Sequence, residues 1–394
     1  MRQNAIMSSE LSEKDIPSPP LNILHVLTLS GSKGEYGGPN KVARELCVEL
    51  QKKNHTVEIL TGAVSGSEPT PDQYLNEEFI LVKPLTNNLP TSSLWSRNLF
   101  KKLRIKILLA DIVHIHFARD LIPILAAMIC IVHRKPFVTQ THGMILPDTR
   151  ASVRVIDFLF TRYIMKRTKI NFVLTQKEMN EMIALHFKCE YEILPNGISL
   201  VQNSQVSTSR GAKKIVFCSR LQKRKHPKRF IDLVEVAEKI NLDLDFEIYG
   251  PDGGELSATL TSIERSNNPR LKYMGSIEPN MVKEILEVSD LLVLPSESEP
   301  FPMVVLESLS VGTPVLIMPS CGISPNISKA FPEMVSLTED FAGLINAFIN
   351  LTKMDLSHER RSDIQEFCRN EFAIENVVKV LELNYYRVMK NDKF

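Results

Sequence analysis

The chain has 394 residues, of which 43% are hydrophobic and 24% are charged, with 47 Lys and Arg against 46 Asp and Glu. This length suffices for two folded domains, and the ordinary composition excludes disordered, collagen-like and disulfide-scaffold proteins. The formal net charge of +1 provides no overall field for holding nucleic acid, so we expect no nucleic-acid partner.

The cysteines and the apolar segments indicate a cytoplasmic protein. Six cysteines stand singly, without a C-x-x-C pair or a Cys/His cluster at zinc spacing, so we expect no metal site and a reducing compartment. Residues 1–20 are polar and rich in Pro and Ser, which predicts a flexible tail and argues against a signal peptide. The longest apolar run, Leu121 to Val132, is too short to span a bilayer and predicts a buried helix.

The first half of the chain alternates short apolar segments with helix-length segments. Leu21 to Leu29 is nearly all apolar, as in a strand covered on both faces, and a glycine-rich turn follows it. A helix is expected to begin near Pro39, with Val42, Leu46 and Leu50 on one face. Further strands are predicted at Thr56–Leu60, Ile112–His116, Phe137–Thr141 and Phe172–Thr175.

A second series of the same kind follows a polar segment at 199–212, which is predicted to be a linker. The sequence therefore predicts an α/β protein with two Rossmann-like, doubly wound parallel-sheet domains, residues 21–198 and 213–373, and a ligand site in the cleft between them. The predicted strands are Ile215–Ser219, Phe246–Tyr249, Leu271–Met274, Leu291–Pro295 and Pro314–Met318. One amphipathic helix carries Phe230, Leu233, Val234, Ala237 and Ile240 on a single face.

Basic charge is concentrated in one part of the first domain. Residues 97–177 contain 15 Lys and Arg against 4 Asp and Glu, a net charge of +11. Between Arg97 and Ile107, basic residues alternate with apolar ones, so this stretch could lie on an anionic membrane surface or face an anionic acceptor. A solvated helix face explains the same pattern equally well.

Two carboxylates follow the strand that ends at Pro295. Glu299 is expected on the loop that leaves the strand, and Glu307 on the helix that Pro302 or Met303 begins, with both facing the cleft. A carboxylate can accept hydrogen bonds from two vicinal hydroxyls, so the pair could hold two ends of a sugar nucleotide. Taken alone, such a pair is more often N-terminal capping.

Basic and glycine-rich turns follow other predicted strands. Arg220 offers a planar guanidinium for two diphosphate oxygens, and Lys225 offers a point charge. A basic turn on the surface explains the same residues. Gly37 and Gly38 would let backbone amides approach a phosphate, yet a tight turn explains them equally well. Two further strands end before His142 and Gly250; a single histidine of this kind is usually structural.

The combination of these motifs resembles the retaining GT-B glycosyltransferases of family four, over roughly residues 21–390. The spacing of Glu299 and Glu307, followed by G-T-P-V, is the most specific part of the likeness. One departure is Pro319 to Asn326, where the family usually has a glycine pair and an acidic residue. The matching segments are Gly37-Gly38, His142-Gly143, Asn196-Gly197-Ile198, Ser219-Arg220-Leu221, Lys225, Tyr249-Gly250, Glu299 to Glu307 and Gly312-Thr-Pro-Val315.

The resemblance implies roles for these residues. Arg220 and Lys225 would bind the diphosphate of a nucleotide-sugar donor, Glu307 the ribose and Glu299 the sugar, while His142 would contact the sugar near its anomeric carbon. The final helix, within 374–394, would cross back onto the first domain. The backbone would contribute further donor contacts at Gly37, Gly38, Gly250, Phe301, Pro302, Met303 and Val304.

The implied reaction is transfer of a sugar, with retention of anomeric configuration, to a hydroxyl of a glycan or of a polyprenyl-diphosphate-linked acceptor. No cofactor or metal is expected, and the leaving phosphate would help to deprotonate the acceptor. The first hypothesis is an enzyme of bacterial surface-polysaccharide synthesis with a lipid-linked acceptor. The basic region motivates the lipid part, with the protein at the inner face of the cell membrane. Two alternatives stay open at this point: a sugar-nucleotide epimerase on a similar fold, and a non-catalytic protein that binds nucleotide sugars.

Overall fold

Strand β1 (Asn22–Ser30) lies in the interior of the first sheet, and all of its residues after Asn22 are buried or partly buried. The structure is a computed structural model that describes residues 19–30, 37–64, 75–84, 94–200, 213–354 and 357–391. The first sheet has the order β4-β3-β2-β1-β5-β6-β7-β8, and all pairs are parallel except β3 with β4. Its other strands are β2 (Thr56–Val64), β3 (Asn76–Pro84), β4 (Leu94–Trp95), β5 (Ile112–His116), β6 (Phe137–Gln140), β7 (Asn171–Val173) and β8 (Tyr191–Ile193).

Helices cover both faces of this sheet, as expected for strands that are apolar throughout. One face packs against buried residues of α2 and α3, including Leu103 and Ile122, and the other against α1 residues such as Leu46. The helices of this domain are α1 (Gly37–Lys52), α2 (Leu99–Leu109), α3 (Leu121–Val132), α4 (Ala151–Ile156), a π-helical turn (Asp157–Thr161), α5 (Arg162–Arg167) and α6 (Gln176–Ala184).

The second sheet has five parallel strands in the order β11-β10-β9-β12-β13. One continuous core surrounds it. The strands are β9 (Lys213–Cys218), β10 (Leu244–Tyr249), β11 (Leu271–Gly275), β12 (Leu291–Leu294) and β13 (Val315–Ile317). The helices are α7 (Pro227–Lys239), α8 (Leu256–Ser266), α9 (Met281–Glu287), α10 (Met303–Ser310), α11 (Ser324–Ala330), α12 (Phe341–Lys353) and α13 (His358–Phe372), with short 3₁₀ turns at Lys223–Lys225 and Pro332–Met334.

The last helix, α14 (Ile374–Asn391), packs on the first domain. Its residues Ile374, Leu381 and Tyr385 share one buried cluster with Leu46 of α1. The chain crosses where a Cβ on Gly197 would come within 2.8 Å of the Ile374 Cα, so only glycine fits at that position without displacement. The second domain is thereby tied to the first by its own C-terminal segment.

The predicted architecture of two parallel-sheet α/β domains is confirmed, with differences in detail. The predicted strands Phe137–Thr141 and Phe172–Thr175 run past the ends of β6 and β7. The predicted apolar face of α7 is wrong at Ile240, which follows the helix and is 41% exposed. Strands β3, β4 and β8 were not predicted. The predicted tail lies outside the described residues except for 19 and 20, as does the linker except for 199 and 200.

Candidate functional site

Three loops of the second domain meet at the carboxyl ends of neighbouring strands. They follow β9, β10 and β12, which lie side by side in the sheet, as ligand-binding loops of doubly wound domains do. The amide of Glu297 donates to the carbonyl of Arg224 at 3.1 Å, and the carboxylate of Glu297 accepts from Arg229 Nη2 at 2.6 Å. Glu297 therefore joins the loop after β12 to the loop after β9, a role that the sequence did not reveal.

A buried ion pair lies where these two loops meet. Lys225 Nζ lies 2.7 Å from Glu299 Oε2, and the two residues are only 9% and 8% exposed. Arg224 Nη1 lies 3.2 Å from the same oxygen, but its side chain is 46% exposed. Burial lowers the pKa of Lys225, and the Glu299 charge opposes that shift. The structure thus brings together Lys225 and Glu299, two of the five side chains to which the resemblance gives roles.

Arg220 and Gly250 lie side by side on the loops after β9 and β10. Gly250 has a φ of +143°, and a Cβ on it would come within 1.9 Å of the Ser219 carbonyl oxygen. A Cβ on Gly253 would likewise meet the Arg220 side chain at 2.8 Å. These glycines let the two loops pack in direct contact, which positions Arg220 on the same edge of the sheet as Lys225.

Glu307 faces the first domain across the cleft. It lies on α10, is 5% exposed and forms an ion pair with Lys41 of α1. Glu45 and Lys283 interact electrostatically with the same pair; burial raises the pKa of Glu45 and lowers that of Lys283. Two carboxylates and two ammonium groups, contributed by both domains, therefore lie together at this point. Sequence reasoning had identified only Glu307.

The His142–Gly143 turn after β6 meets the second domain at Pro300. His142 adopts a left-handed conformation with φ +50°, which is strained for a residue with a side chain, and it is only 7% exposed. A Cβ on Gly143 would lie 2.5 Å from the Pro300 Cβ. On the other side of the same loop, the Gly322 amide donates to the Glu299 carbonyl at 2.8 Å. His142 is thus next to the contact between Gly143 and Pro300, and Glu299 directly precedes Pro300.

Glu178, which sequence analysis did not identify, holds this turn in place. Its Oε1 accepts from the Gly143 amide at 2.7 Å and from the Thr141 hydroxyl at 2.5 Å, while Oε2 accepts from the Leu174 amide at 2.7 Å. Burial raises the pKa of this carboxyl, and the hydrogen bonds counter the shift. The spacing of Thr175 and Glu178 fits a capping box, the one signal of it in the sequence.

Replacing Glu178 by alanine is expected to destabilise the first domain. Two amides and one hydroxyl would lose their acceptor in a buried site, and each unpaired donor costs about 1–3 kcal/mol. We expect the free energy of unfolding to fall by about 3 kcal/mol or more, measured by denaturant titration. Glu181→Ala, the same change on the same helix at a partly buried position, should alter it by less than about 1 kcal/mol. Equal losses in the two variants would contradict this role.

Helix N-termini supply the remaining predicted contacts. Helix α1 begins at Gly37, two residues before the predicted start, and Gly38 is exposed with nothing within 4 Å of an added Cβ. Helix α10 begins at Met303, as predicted, after Phe301 and Pro302. The Phe301 ring packs edge-on against Phe372, with centroids 5.9 Å apart, so it anchors the backbone that leads to Met303 and Val304.

The basic region of the first domain divides into two parts. On α2, Lys102 and Lys106 form ion pairs with Glu78 of β3, so part of this stretch stabilises the fold. On the segment from α4 to α5, by contrast, the apolar residues Phe158 and Leu159 are 73% and 54% exposed. Its exposed charges are all basic: Arg154, Arg162, Lys166 and Arg167.

Among the residues that the structure describes, none of the helices combines the length and apolar character needed to cross a bilayer. Over the same described ranges, no group of three or more His, Cys, Asp or Glu residues has the geometry to hold a metal ion.

Comparison with known proteins matches both halves of the chain to glycosyltransferase families. Residues 36–202 match the family model "Glycosyltransferase Family 4", and residues 202–366 match "Glycosyl transferases group 1". N-acetyl-alpha-D-glucosaminyl L-malate synthase of Bacillus anthracis is 22% identical over 91% of this chain and 96% of its own length. A UDP-Gal:alpha-D-GlcNAc-diphosphoundecaprenol alpha-1,3-galactosyltransferase of Escherichia coli is 23% identical over 61% of this chain and 66% of its own length.

Solved structures share the GT-B fold. Anabaena HepE, crystallised with UDP and glucose, superposes with a TM-score of 0.73 at 16% identity, over 93% of this chain and 99% of that one. Staphylococcus aureus TarM, crystallised with UDP among its ligands, gives 0.71 at 12% identity, over 94% and 99%. With two family models spanning residues 36–366 and this fold, the chain belongs to the group 1 glycosyltransferases.

Proposed function

We propose that this glycosyltransferase moves a sugar from a UDP-sugar, with retention of configuration, to a hydroxyl of a lipid-linked glycan in bacterial surface-polysaccharide synthesis. The observation that carries the proposal is the buried Lys225–Glu299 pair, directly beside the contact of Pro300 with Gly143. Where two domains meet, an ammonium can bind the diphosphate of an activated sugar and a carboxylate can bind its hydroxyls. The relatives named above support UDP as the nucleotide and a diphosphoundecaprenol-linked acceptor.

In this proposal Arg220 and Lys225 bind the diphosphate, and Glu299 accepts hydrogen bonds from the sugar hydroxyls. Glu307 accepts from the ribose through the carboxylate that also pairs with Lys41. The amides at the start of α1 and α10 add donors for the phosphate and sugar oxygens. His142 contacts the transferred sugar from the first domain.

The chemistry is a substitution at the anomeric carbon. The bond from that carbon to the diphosphate oxygen breaks, and a bond to the acceptor oxygen forms on the same face of the ring. The acceptor proton passes to the departing diphosphate, so the chain supplies no covalent nucleophile. Arg220 and Lys225 stabilise the charge that develops on the leaving group, which is where preorganised cations contribute most. No metal ion or cofactor takes part in the proposed reaction.

The segment from α4 to α5 supports a membrane-facing acceptor side. Phe158, Leu159 and Tyr163 are exposed on a segment whose exposed charges are all basic, a pattern suited to the interface of an anionic bilayer. Arg119 links this segment to the loop after His142, because it pairs with Asp157 and donates to the Leu146 carbonyl at 3.0 Å. An acceptor held at the bilayer would therefore lie near the cleft.

Replacing both Phe158 and Leu159 by serine is expected to weaken binding to vesicles that contain anionic lipid by at least about tenfold. Each residue would otherwise bury apolar surface worth about 1.5–3 kcal/mol, and part of that is realised at an interface. Co-sedimentation at low salt measures the effect. Leu337→Ser, at a residue 90% exposed on the other domain, is the matched control. Wild-type protein that fails to sediment with such vesicles would refute the membrane contact.

The reaction itself is tested with a panel of UDP-, GDP- and dTDP-sugars and an undecaprenyl-diphosphate-linked acceptor. We expect transfer from a UDP-sugar, with the same anomeric configuration in product and donor by proton NMR. Inversion would refute the retaining mechanism. Each donor is also incubated alone: conversion to an isomeric nucleotide sugar, without transfer, would favour the epimerase alternative. Donor binding without either reaction would favour the non-catalytic alternative.

A further inference from the structure

Three histidines lie on one face of the neighbouring strands β1 and β5, and a fourth follows β6 in the first domain. His25 of β1 is in register with His114 of β5, and His116 is two residues further along β5 on the same face. His142 follows β6, the next strand of the sheet. His25, His114 and His116 are at most 1% exposed. This column therefore runs from the interior of the domain to the turn that meets Pro300.

The imidazole rings are joined in a defined order. His25 Nδ1 lies 3.0 Å from His116 Nε2, and His116 Nδ1 lies 2.7 Å from His142 Nε2. His114 stacks on both His25 and His116, with centroids 4.7 and 4.6 Å away, and its Nδ1 lies 2.6 Å from the hydroxyl of Tyr385. His116 is thus the only link by hydrogen bonds between His25 and His142 within the described part of the chain.

All four imidazoles are neutral near pH 7. Burial lowers the pKa of His25 and of His142 to about 3, and it lowers the pKa values of His114 and His116 well below the ordinary range. A neutral imidazole has one N–H and one bare nitrogen. Each hydrogen bond in the chain His25–His116–His142 therefore needs an N–H on one ring and a bare nitrogen on the next, so the three tautomers are coupled.

The inner end of this hydrogen-bonded series, at His25, determines the direction in which the hydrogen bonds are donated. His25 Nε2 is buried and has no hydrogen-bond partner among the residues that the structure describes. A buried N–H without an acceptor is the rarer arrangement in proteins, so the bare nitrogen belongs at this end. His25 then donates from Nδ1 to His116 Nε2, and His116 donates from Nδ1 to His142 Nε2. The proton of His142 is left on Nδ1.

We propose that His116, backed by His25, is a positioning residue that fixes the proton of His142 on Nδ1. His142 is thereby a neutral hydrogen-bond donor to an oxygen of the transferred sugar and does not act as a general base. This inference rests on the proposed contact of His142 with the sugar. Glu178 fixes the backbone of the same turn through Gly143, so ring and main chain are held from separate sides.

Two substitutions separate the two hydrogen bonds of His116. An asparagine amide nitrogen can donate from the position of His Nδ1, and a glutamine amide oxygen can accept at the position of His Nε2. His116→Asn therefore keeps a donor for His142, whereas His116→Gln keeps only the contact to His25. We expect kcat of His116→Asn within about tenfold of wild type and kcat of His116→Gln reduced about 100-fold, with KM for the UDP-sugar changed less than kcat. Equal losses in both would assign His116 a merely structural role and overturn the proposal.

The tautomer is measured directly, without reference to activity. In protein labelled with ¹⁵N-histidine, with the His142 signals assigned by the His142→Gln variant, long-range ¹H–¹⁵N spectra distinguish protonated from bare nitrogens. We expect a protonated Nδ1 and a bare Nε2 on His142. The reverse pattern overturns the inference even if the enzyme transfers sugar normally. If transfer is absent while the expected tautomer is found, the proposed function fails and the ring arrangement stands. Because this measurement needs neither His116 variant, it decides even if those variants fail to fold.

Discussion

Lys225→Met is expected to reduce kcat about 10²- to 10³-fold and to destabilise the second domain. The ammonium is proposed to stabilise the departing diphosphate, and loss of one such preorganised group typically costs this much in rate. The substitution also leaves the Glu299 carboxylate buried without its partner at 2.7 Å. Breaking a buried ion pair from one side costs about 3–5 kcal/mol, measured here as the free energy of unfolding in a denaturant titration.

The double variant Lys225→Met/Glu299→Gln separates the two effects. With both charges gone, no uncompensated ion is buried, so much of the lost stability should return while kcat stays low. Arg224→Met is the matched control, because Arg224 touches the same carboxylate but is 46% exposed; we expect a loss of less than about tenfold in kcat. Recovery of kcat in the double variant would show that the pair is structural and would contradict the proposed role of Lys225.

Acidification below about pH 6.5 is expected to lower the free energy of unfolding steeply through the four buried histidines. In the unfolded chain their pKa is about 6.5, whereas burial lowers the pKa of His25 and His142 to about 3 in the folded protein. Between these values the unfolded chain holds protons that the folded chain lacks. Unfolding then takes up protons. The free energy of unfolding therefore decreases as the pH is lowered, by up to about 1.4 kcal/mol per pH unit for each histidine.

The matched variants for this prediction are His114→Phe and His358→Gln. Phenylalanine keeps an aromatic ring in the stack and removes one titrating group, so unfolding at pH 5 should take up about one proton fewer than in wild type. His358→Gln removes an exposed histidine of α13 that lies outside the stack, and it serves as the matched control. Calorimetry in buffers of different ionisation enthalpy measures the uptake. The same uptake in wild type and His114→Phe would contradict the prediction.

Strands that are buried on both faces could be predicted from the sequence, because such strands consist of continuous apolar runs. Strand β3 was missed because it begins Asn-Glu-Glu. Its Glu77 pairs with Arg44 and its Glu78 with Lys102, so helices on each face neutralise charges that make the segment resemble a loop. The partners of those carboxylates come from distant parts of the chain, and no local pattern reveals them.

The candidate site likewise contains residues that could be predicted from the sequence and residues that could not. Lys225 and Glu299 were found because each follows an apolar strand, and the carboxyl ends of parallel strands share one edge of a sheet. Glu178 was missed because its spacing to Thr175 indicates a helix cap, whereas its carboxylate binds the turn after another strand. His114 and His116 are visible as polar residues in an apolar strand. Their hydrogen-bond order depends on ring positions, which only coordinates give.

Pro300 is enclosed by two residues without side chains. A Cβ on Gly143 would overlap its ring, and a Cβ on Gly322 would come within 1.8 Å of its carbonyl oxygen. At the contact between the domains, the first domain therefore contributes only the backbone of Gly143, against the Pro300 ring of the second. A single methyl group on Gly143 would push the two domains apart and widen the cleft in which the donor is proposed to bind.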